Sequence, residues 1–324
     1  TYHRERAVLT KLCCFYGERF DLTQAAGGNI SIKTEDGKML IKASGIALSN
    51  VTKDDGFSLI ENVALQKDIS NNKYDPITNY SLNGVRGSME TYMHGFLYKY
   101  VVHLHPIQVN QILVGKDCRK VCKKLFPEAL FLDYVTPGVK LSKALKKSWK
   151  GEKLILLANH GIIVASDSLS EVKKIINRTL EISEDYTGES FDNYKDCNKI
   201  SSIINKITGS SYICYVSEVD MLYSTPSLFP DKTIFCGTEL LYCSELKKEE
   251  FKEFIEENGD IPKVIRYRLN TYIIGNSINK CRDIESVLLA NSIISRGSYS
   301  LKSLTNSQEK ELISMESEKY RGSL

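Results

Sequence analysis

Long apolar runs are missing from this chain of 324 residues, and nothing in it approaches the roughly eighteen consecutive apolar residues that mark a membrane-spanning helix. The opening stretch, TYHRERAVLTKLCC, is charged where a secretory signal would be apolar. The expectation is a cytoplasmic protein with no membrane partner. An excess of charge of one sign is missing too. Lys and Arg number 43 against 40 Asp and Glu, a net +3, so no general field draws nucleic acid. The densest basic stretches, Lys116 to Lys124 and Lys143 to Lys153, lack the interleaved aromatics of a base-stacking platform and read as solvated helix faces. Paired C-x-x-C spacings are absent although there are 9 cysteines. An odd, scattered set of that kind reads as reduced thiols, with Cys118 and Cys122 sharing at most a helix face. No G-x-G-x-x-G follows a strand, so dinucleotide binding has no support. Low-complexity tracts and internal repeats are not evident, and 42% hydrophobic with 26% charged residues is the composition of a folded globular protein.

Length allows one large domain or two of ordinary size. HRERAVLTKLCCFYGERFDL has helical spacing, and AAGGNISIKTEDGKMLIKASG reads as two strands joined by a turn at Asp36-Gly37. GSMETYMHGFLYKY is helical in pattern and leads into the strand VVHLH; ALFLDYV and KLILLANHGIIVAS supply further strands, and SLSEVKKIINRTLEISEDY a helix of about five turns. Polarity rises and the apolar rhythm weakens over residues 187–202, which suggests domains of 1–195 and 196–324. In the second, DKTIFCG, PKVIRYRL and TYIIGNS resemble strands, whereas SVLLANSIIS and SQEKELISMESEKY resemble helices. The expected class is α/β: a mixed or antiparallel central sheet flanked by helices in layers, then a smaller α/β domain.

Histidine is scarce, with 5 in the chain, yet His103 and His105 stand one residue apart in VVHLHPIQV. Alternate residues of a strand share a face, so both imidazoles project together and can chelate one metal. The same spacing also suits a strand-end cap beside a packed core residue. His160, in LLANHGIIVAS, stands where an apolar strand meets a glycine and can converge on the first pair. Three neutral histidines with one open position form the usual first shell of a catalytic Zn²⁺. Glu90, on the helix running into the His103 strand, is the candidate to ligate or to move a proton, or else an ordinary carboxylate at a helix N-terminus. GGNIS and KASG combine glycines that admit a ligand to the backbone with Asn and Ser donors, the composition of a phosphate cradle. Ser88 would stand between cradle and metal.

GGNIS, KASG, SMET with its following histidine, HLHP, DYVTPG and NHG occur in the order of the motifs of the class II aldolase/adducin family, which the chain resembles over roughly residues 5–190. The resemblance implies zinc, or another divalent metal, at His103, His105 and His160. It also implies acid/base work for Glu90, and phosphate contacts from Asn29, Ser44, Gly45 and Ser88 with Gly28 shaping the loop. Tyr134 matches a tyrosine that crosses a subunit interface to protonate the leaving aldehyde oxygen. A homo-oligomer, in that family often a tetramer, with sites at subunit interfaces follows. His94 is matched by many members. Fuculose-1-phosphate aldolase has two serines before its glutamate where this chain has Ser88 and Met89. SLFPDKTIFCG and MESEKYRGSL resemble the segment after the aldolase part of rhamnulose-phosphate aldolase/alcohol dehydrogenase proteins, without the dehydrogenase part. The implied activity is retro-aldol cleavage of a ketose phosphate through an enediolate. A sugar-phosphate 4-epimerase or dehydratase using the same zinc, and a non-catalytic adducin-like interaction module, are the alternatives.

Overall fold

Continuous apolar strands such as Leu154-Ile-Leu-Leu157 demand a sheet covered on both faces, and the computed structural model provides one. It describes residues 1–219, 226–297 and 300–321 and divides into two compact units, Thr1–Phe191 and Asp192–Leu324. The first contains α1 (His3–Gly17), β1 (Asn29–Lys33), β2 (Lys38–Lys42), β3 (Phe57–Glu61), α2 (Asn62–Ser70), α3 (Thr91–Phe96), β4 (Tyr100–Leu104), α4 (Ile107–Leu113), α5 (Cys118–Leu125), β5 (Leu130–Leu132), α6 (Val139–Ser148), β6 (Leu154–Leu157), β7 (Gly161–Ser166) and α7 (Leu169–Thr187). Its seven strands lie in the order β3-β2-β1-β4-β7-β6-β5. Every neighbouring pair is antiparallel except β5 with β6, which run parallel. The sheet is therefore mixed, as the sequence suggests.

Alternation assigns the faces. Val102, Leu104, Leu154 and Leu156 pack with α1, α4 and α7 in one core, while Val101, Ile155 and Leu157 pack with Met93, Leu141 and Leu145 of α3 and α6 in another. His103 shares the face of Val101, because residues two apart on a strand point the same way. The Asp36-Gly37 turn lies between β1 and β2 where it is expected, with Gly37 at φ 81°. The helix expected from residue 87 is shorter than its pattern: α3 begins only at Thr91, and Glu90 is its N-cap.

The second unit contains α8 (Asp192–Thr208), β8 (Ile213–Ser217), α9 (Pro230–Cys236), β9 (Leu241–Tyr242), α10 (Lys248–Asn258), β10 (Val264–Tyr267), β11 (Asn270–Gly275), α11 (Ile278–Ser295) and α12 (Asn306–Arg321). The boundary expected at 195 would cut α8, a helix concealed by its polar outer face; its inner side buries Cys197, Ile200 and Ile204. DKTIFCG, read as a strand from its β-prone Thr-Ile-Phe, is the helix α9. Pro230 at its first position and Asp231 in its first turn are helix-starting residues that outweigh that preference. The last three residues of MESEKYRGSL, 322–324, lie outside the described residues.

A repeat invisible in the sequence emerges from the topology. The second sheet has the order β8-β11-β10-β9, with β8/β11 and β10/β11 antiparallel and β9/β10 parallel. That is β4-β7-β6-β5 again, strand for strand and direction for direction. Each hairpin is closed by an equivalent backbone bond, Ala165 N to Lys153 O and Ile274 N to Lys263 O, both 2.9 Å. Each hairpin then feeds a long helix capped by a serine, Ser168 on α7 and Ser277 on α11. Different side chains fill the two cores, so sequence comparison alone conceals the match. The β10–β11 connection is a two-residue turn in which Arg268 (φ 49°) and Leu269 (φ 67°) both occupy the left-handed region, the geometry in which Asn-Gly is favoured. Leu269 is 86% exposed and loses no packing on truncation. Leu269→Gly is therefore expected to stabilise the second unit by about 1 kcal/mol, read as a raised thermal midpoint.

Candidate metal and anion site

The site grows from the central pairing of β4. Asn29 of β1 stands opposite His103, and His103 stands opposite Ile163 of β7. β4 ends at Leu104, so His105 lies just beyond the strand, where its backbone N–H bonds Leu22 O at 2.9 Å and Pro106 starts the turn into α4. The β6–β7 connection needs a residue with positive φ, and Asn159 supplies it at 55°; asparagine tolerates that region better than other side-chain-bearing residues. α4 holds the same turn: Asn110 Nδ2 donates to His160 O at 3.1 Å, and Asn159 N donates to Leu113 O at 3.2 Å.

His103, His105 and His160 are thereby gathered with one ligating atom of each within 4.8 Å of the others. Ring centroids are 4.8, 4.8 and 5.1 Å apart. His103 Nδ1–H donates to Ile162 O at 2.9 Å, leaving Nε2 as a lone pair facing inward, 3.0 Å from His105 Nε2. This is the orienting bond expected around a metal-ligating imidazole. Glu90, 4% exposed, reaches the same point: Oε2 is 3.2 Å from His103 Nε2, and Oε1 is 3.5 Å from His160 Nε2. Two buried polar atoms here, Glu90 Oε1 and His160 Nδ1, have no hydrogen-bond partner. Facing lone pairs, an orphaned carboxylate oxygen and neutral imidazoles form a donor set that a divalent cation satisfies.

Two glycines permit this crowding. A Cβ on Gly161 would lie 2.3 Å from Leu104 O and 2.9 Å from His105 Cδ2, and one on Gly27 would lie 2.9 Å from His105 Nδ1. Burial, reinforced by the neighbouring imidazoles, lowers His105 from its ordinary 6.5 to about 3. Burial likewise lowers His103 and His160 to about 4. All three are therefore neutral near pH 7, the form that ligates.

Asn29 joins this cluster to the expected anion loops. Its Nδ2 donates to Glu90 Oε2 at 2.8 Å and to Ser88 Oγ at 3.1 Å. Gly28 has φ 75°, and a Cβ there would press on His103 O at 2.9 Å. Gly45 has φ 81° with no atom within 4 Å of such a Cβ, so its backbone faces open space, and Ser44 beside it is exposed. The KASG loop is held against the segment leading to Ser88 by Ser44 N to Arg86 O at 2.9 Å and by the bridge between Ala43 and Gly87. Lys42, not singled out in the sequence, ties both glycine loops together. Its buried Nζ donates to Ala26 O at 2.8 Å and to Ile46 O at 2.6 Å, and burial lowers its pKa to about 8. Tyr134 is different: it stands 58% exposed on the loop after β5. None of the 9 cysteines forms a disulfide, and no helix among the described residues is long and apolar enough to cross a membrane.

Among the described residues the topological repeat carries no second histidine cluster. Register places Val216 where β4 has His103 and Glu218 where the chain has His105. The turn that carries His160 is one residue shorter in the second unit, and no histidine occurs beyond residue 160. Metal analysis of zinc-loaded protein should thus give one equivalent per chain, lost in His160→Ala. Each buried imidazole is also a linkage element. Between pH 6.5 and about 4 the unfolded chain binds protons that the native cluster excludes, so stability is highest above that window and falls as pH drops through it. Denaturant titrations of metal-free protein across this range should show that decline, and His105→Ala should flatten it.

The 3-oxo-tetronate 4-phosphate decarboxylases of Escherichia coli K12 and of E. coli strain CFT073 are each 27% identical to this chain over 182 residues, 51% of this chain and 78% of the relative. The N-terminal class II aldolase domain of a conserved protein from Thermoplasma acidophilum has a similar fold, with TM-score 0.50 and 24% identity over 58% of this chain and 94% of that one. The sequence profile of the Class II Aldolase and Adducin N-terminal domain matches residues 9–184, more than half of the chain, and through them this protein belongs to that family.

Proposed function

We propose that the protein is a metal-dependent carbon–carbon lyase that cleaves a ketose phosphate by a retro-aldol reaction through an enediolate. The observation that carries this reading is the convergence of three neutral imidazoles on a buried carboxylate that is itself hydrogen-bonded, through Asn29, to the anion loop. A divalent metal held by His103, His105 and His160, with zinc the best match to an all-imidazole set, supplies Lewis-acid stabilisation of the oxyanion that develops at the carbonyl.

The chain's own groups do the rest. Ser44, Gly45 and Ser88 hold the phosphate with backbone and hydroxyl donors; Asn29, expected to contact it directly, instead spends its amide hydrogens on Glu90 and Ser88 and so backs that contact, Gly28 keeping the first loop clear. Glu90 stands where it can take and return the proton at the donor carbon, and its Oε1, free of other hydrogen bonds, is the acceptor for it. In cleavage the hydroxyl that becomes the aldehyde gives its proton to a group outside this cluster, which returns it in the reverse addition. Tyr134, exposed on its loop, suits that task in the site of a neighbouring subunit, which requires a homo-oligomer.

A second reading, decarboxylation of a phosphorylated 3-oxo acid, is favoured by the two E. coli relatives. It uses the same metal site and the same enediolate chemistry but releases carbon dioxide. Product analysis on zinc-loaded protein separates the two: ketose phosphates are screened for a released aldehyde and glycerone phosphate, 3-oxo acid phosphates for carbon dioxide. His103→Ala should lose both zinc and turnover. Glu90→Gln should retain zinc while kcat falls by about 10²- to 10⁴-fold. Turnover surviving in metal-free His103→Ala would overturn the reading, and absence of turnover on every phosphorylated substrate would favour the interaction-module alternative.

A further inference from the structure

His94 touches none of the three clustered imidazoles through a hydrogen bond, yet it is fully buried with both ring nitrogens engaged. Its Nδ1 is 2.7 Å from Ser31 Oγ, and its Nε2 contacts Asn29 Oδ1. Directions of donation can be assigned along this chain. Asn29 turns its NH₂ to Glu90 Oε2 at 2.8 Å and to Ser88 Oγ, and its carbonyl to His94. A carbonyl only accepts, so His94 Nε2 carries the hydrogen, Nδ1 is a lone pair and the Ser31 hydroxyl donates to it. The remaining Asn29 hydrogen goes to Ser88 Oγ at 3.1 Å, which also accepts from Glu90 N at 3.2 Å. Both lone pairs of Ser88 Oγ are then used, and its hydroxyl hydrogen is left to donate to a ligand. The opposite His94 tautomer reverses the chain: it would bring Asn29 Oδ1 against the carboxylate and turn its NH₂ away from Ser88.

We propose that His94 is a positioning residue which, held as the Nε2–H tautomer by Ser31, orients Asn29 so that Glu90 is held in place and the Ser88 hydroxyl is aimed at the substrate's phosphate. This deepens the sugar-phosphate reading and rests on it for the identity of the anion. The motif spacing that marks Glu90 and Ser88 carries no hint of the role, because the five participating side chains come from β1 (Asn29 and Ser31), the N-cap of α3 (Glu90), α3 itself (His94) and a position two residues before that cap (Ser88).

The test uses full-length zinc-loaded protein with inorganic phosphate as probe. Nitrogen-15 NMR of the wild-type imidazoles should show His94 protonated at Nε2 alone. His94→Leu should keep one zinc per chain and bind phosphate about tenfold more weakly in calorimetry. His94→Gln, which restores a donor toward Asn29, should recover most of that loss. An Nδ1–H tautomer in the wild type, or unchanged phosphate affinity in His94→Leu, overturns the proposal. If His94→Leu fails to fold, Ser31→Ala leaves the imidazole packed; it should show a mixed tautomer with an intermediate loss of affinity, and no change in either quantity overturns the proposal equally. A wild type that binds zinc but no phosphate overturns the sugar-phosphate reading instead, and the tautomer alone then decides the role of His94.

Discussion

The pairing of β4 between β1 and β7 is the constraint on which the site depends. It sets Asn29 and Ile163 on either side of His103 and delivers the Ile162 carbonyl that orients the imidazole. A one-residue slip would turn His103 into the core that holds Val102 and Leu104 and bring an apolar side chain to the site in its place. Registry is protected by burial on both faces: Val101, Val102 and Leu104 are wholly buried, so any slip would expose the helices on either side to mismatched side chains. His103, at the centre of the cluster, is thus placed by a strand buried on both faces rather than by a loop.

Around that strand the fold assembles a concentration of buried polar groups that would be costly if any member lacked a partner. Lys42 bridges the two glycine loops, Asn29 bridges Glu90 and Ser88, and His94 closes onto Ser31. Two buried acceptors without a hydrogen-bond partner, Glu90 Oε1 and His160 Nδ1, stand where the three imidazoles converge. Burial keeps the imidazoles neutral, and a divalent cation is the natural counterpart of three such donors beside the Glu90 carboxyl group.

The second unit shows how little of this belongs to the topology itself. Its sheet repeats β4-β7-β6-β5 in order and direction, with a closing backbone bond and a serine-capped helix in the equivalent places. Its turn is shorter by one residue, and Val216 and Glu218 stand at the positions of the two paired histidines. The shared four-strand arrangement therefore carries the histidine cluster in the first unit alone, where β1 and the α3 cap, without counterparts among the described residues of the second sheet, also supply Asn29 and Glu90.

Much of the site was legible locally, because H-x-H on a strand, a histidine before a glycine and glycine-rich turns each follow from period-two geometry and from the freedom of glycine. The β1–β2 hairpin, β4, β6, β7 and α7 were legible for the same reason: their apolar rhythm is strong. Where that rhythm is masked, reading failed. α8 hides behind a polar face, and α9 carries β-prone residues after a helix-starting proline. The sequence by itself marked His103, His105, His160 and Glu90 as candidates and placed the three histidines on strands and turns. Tertiary structure alone decided that Glu90 turns inward from a helix cap, that Lys42 and His94 complete the network, and that the second unit copies the first. Those facts depend on contacts between residues far apart in the chain, which local periodicity does not encode.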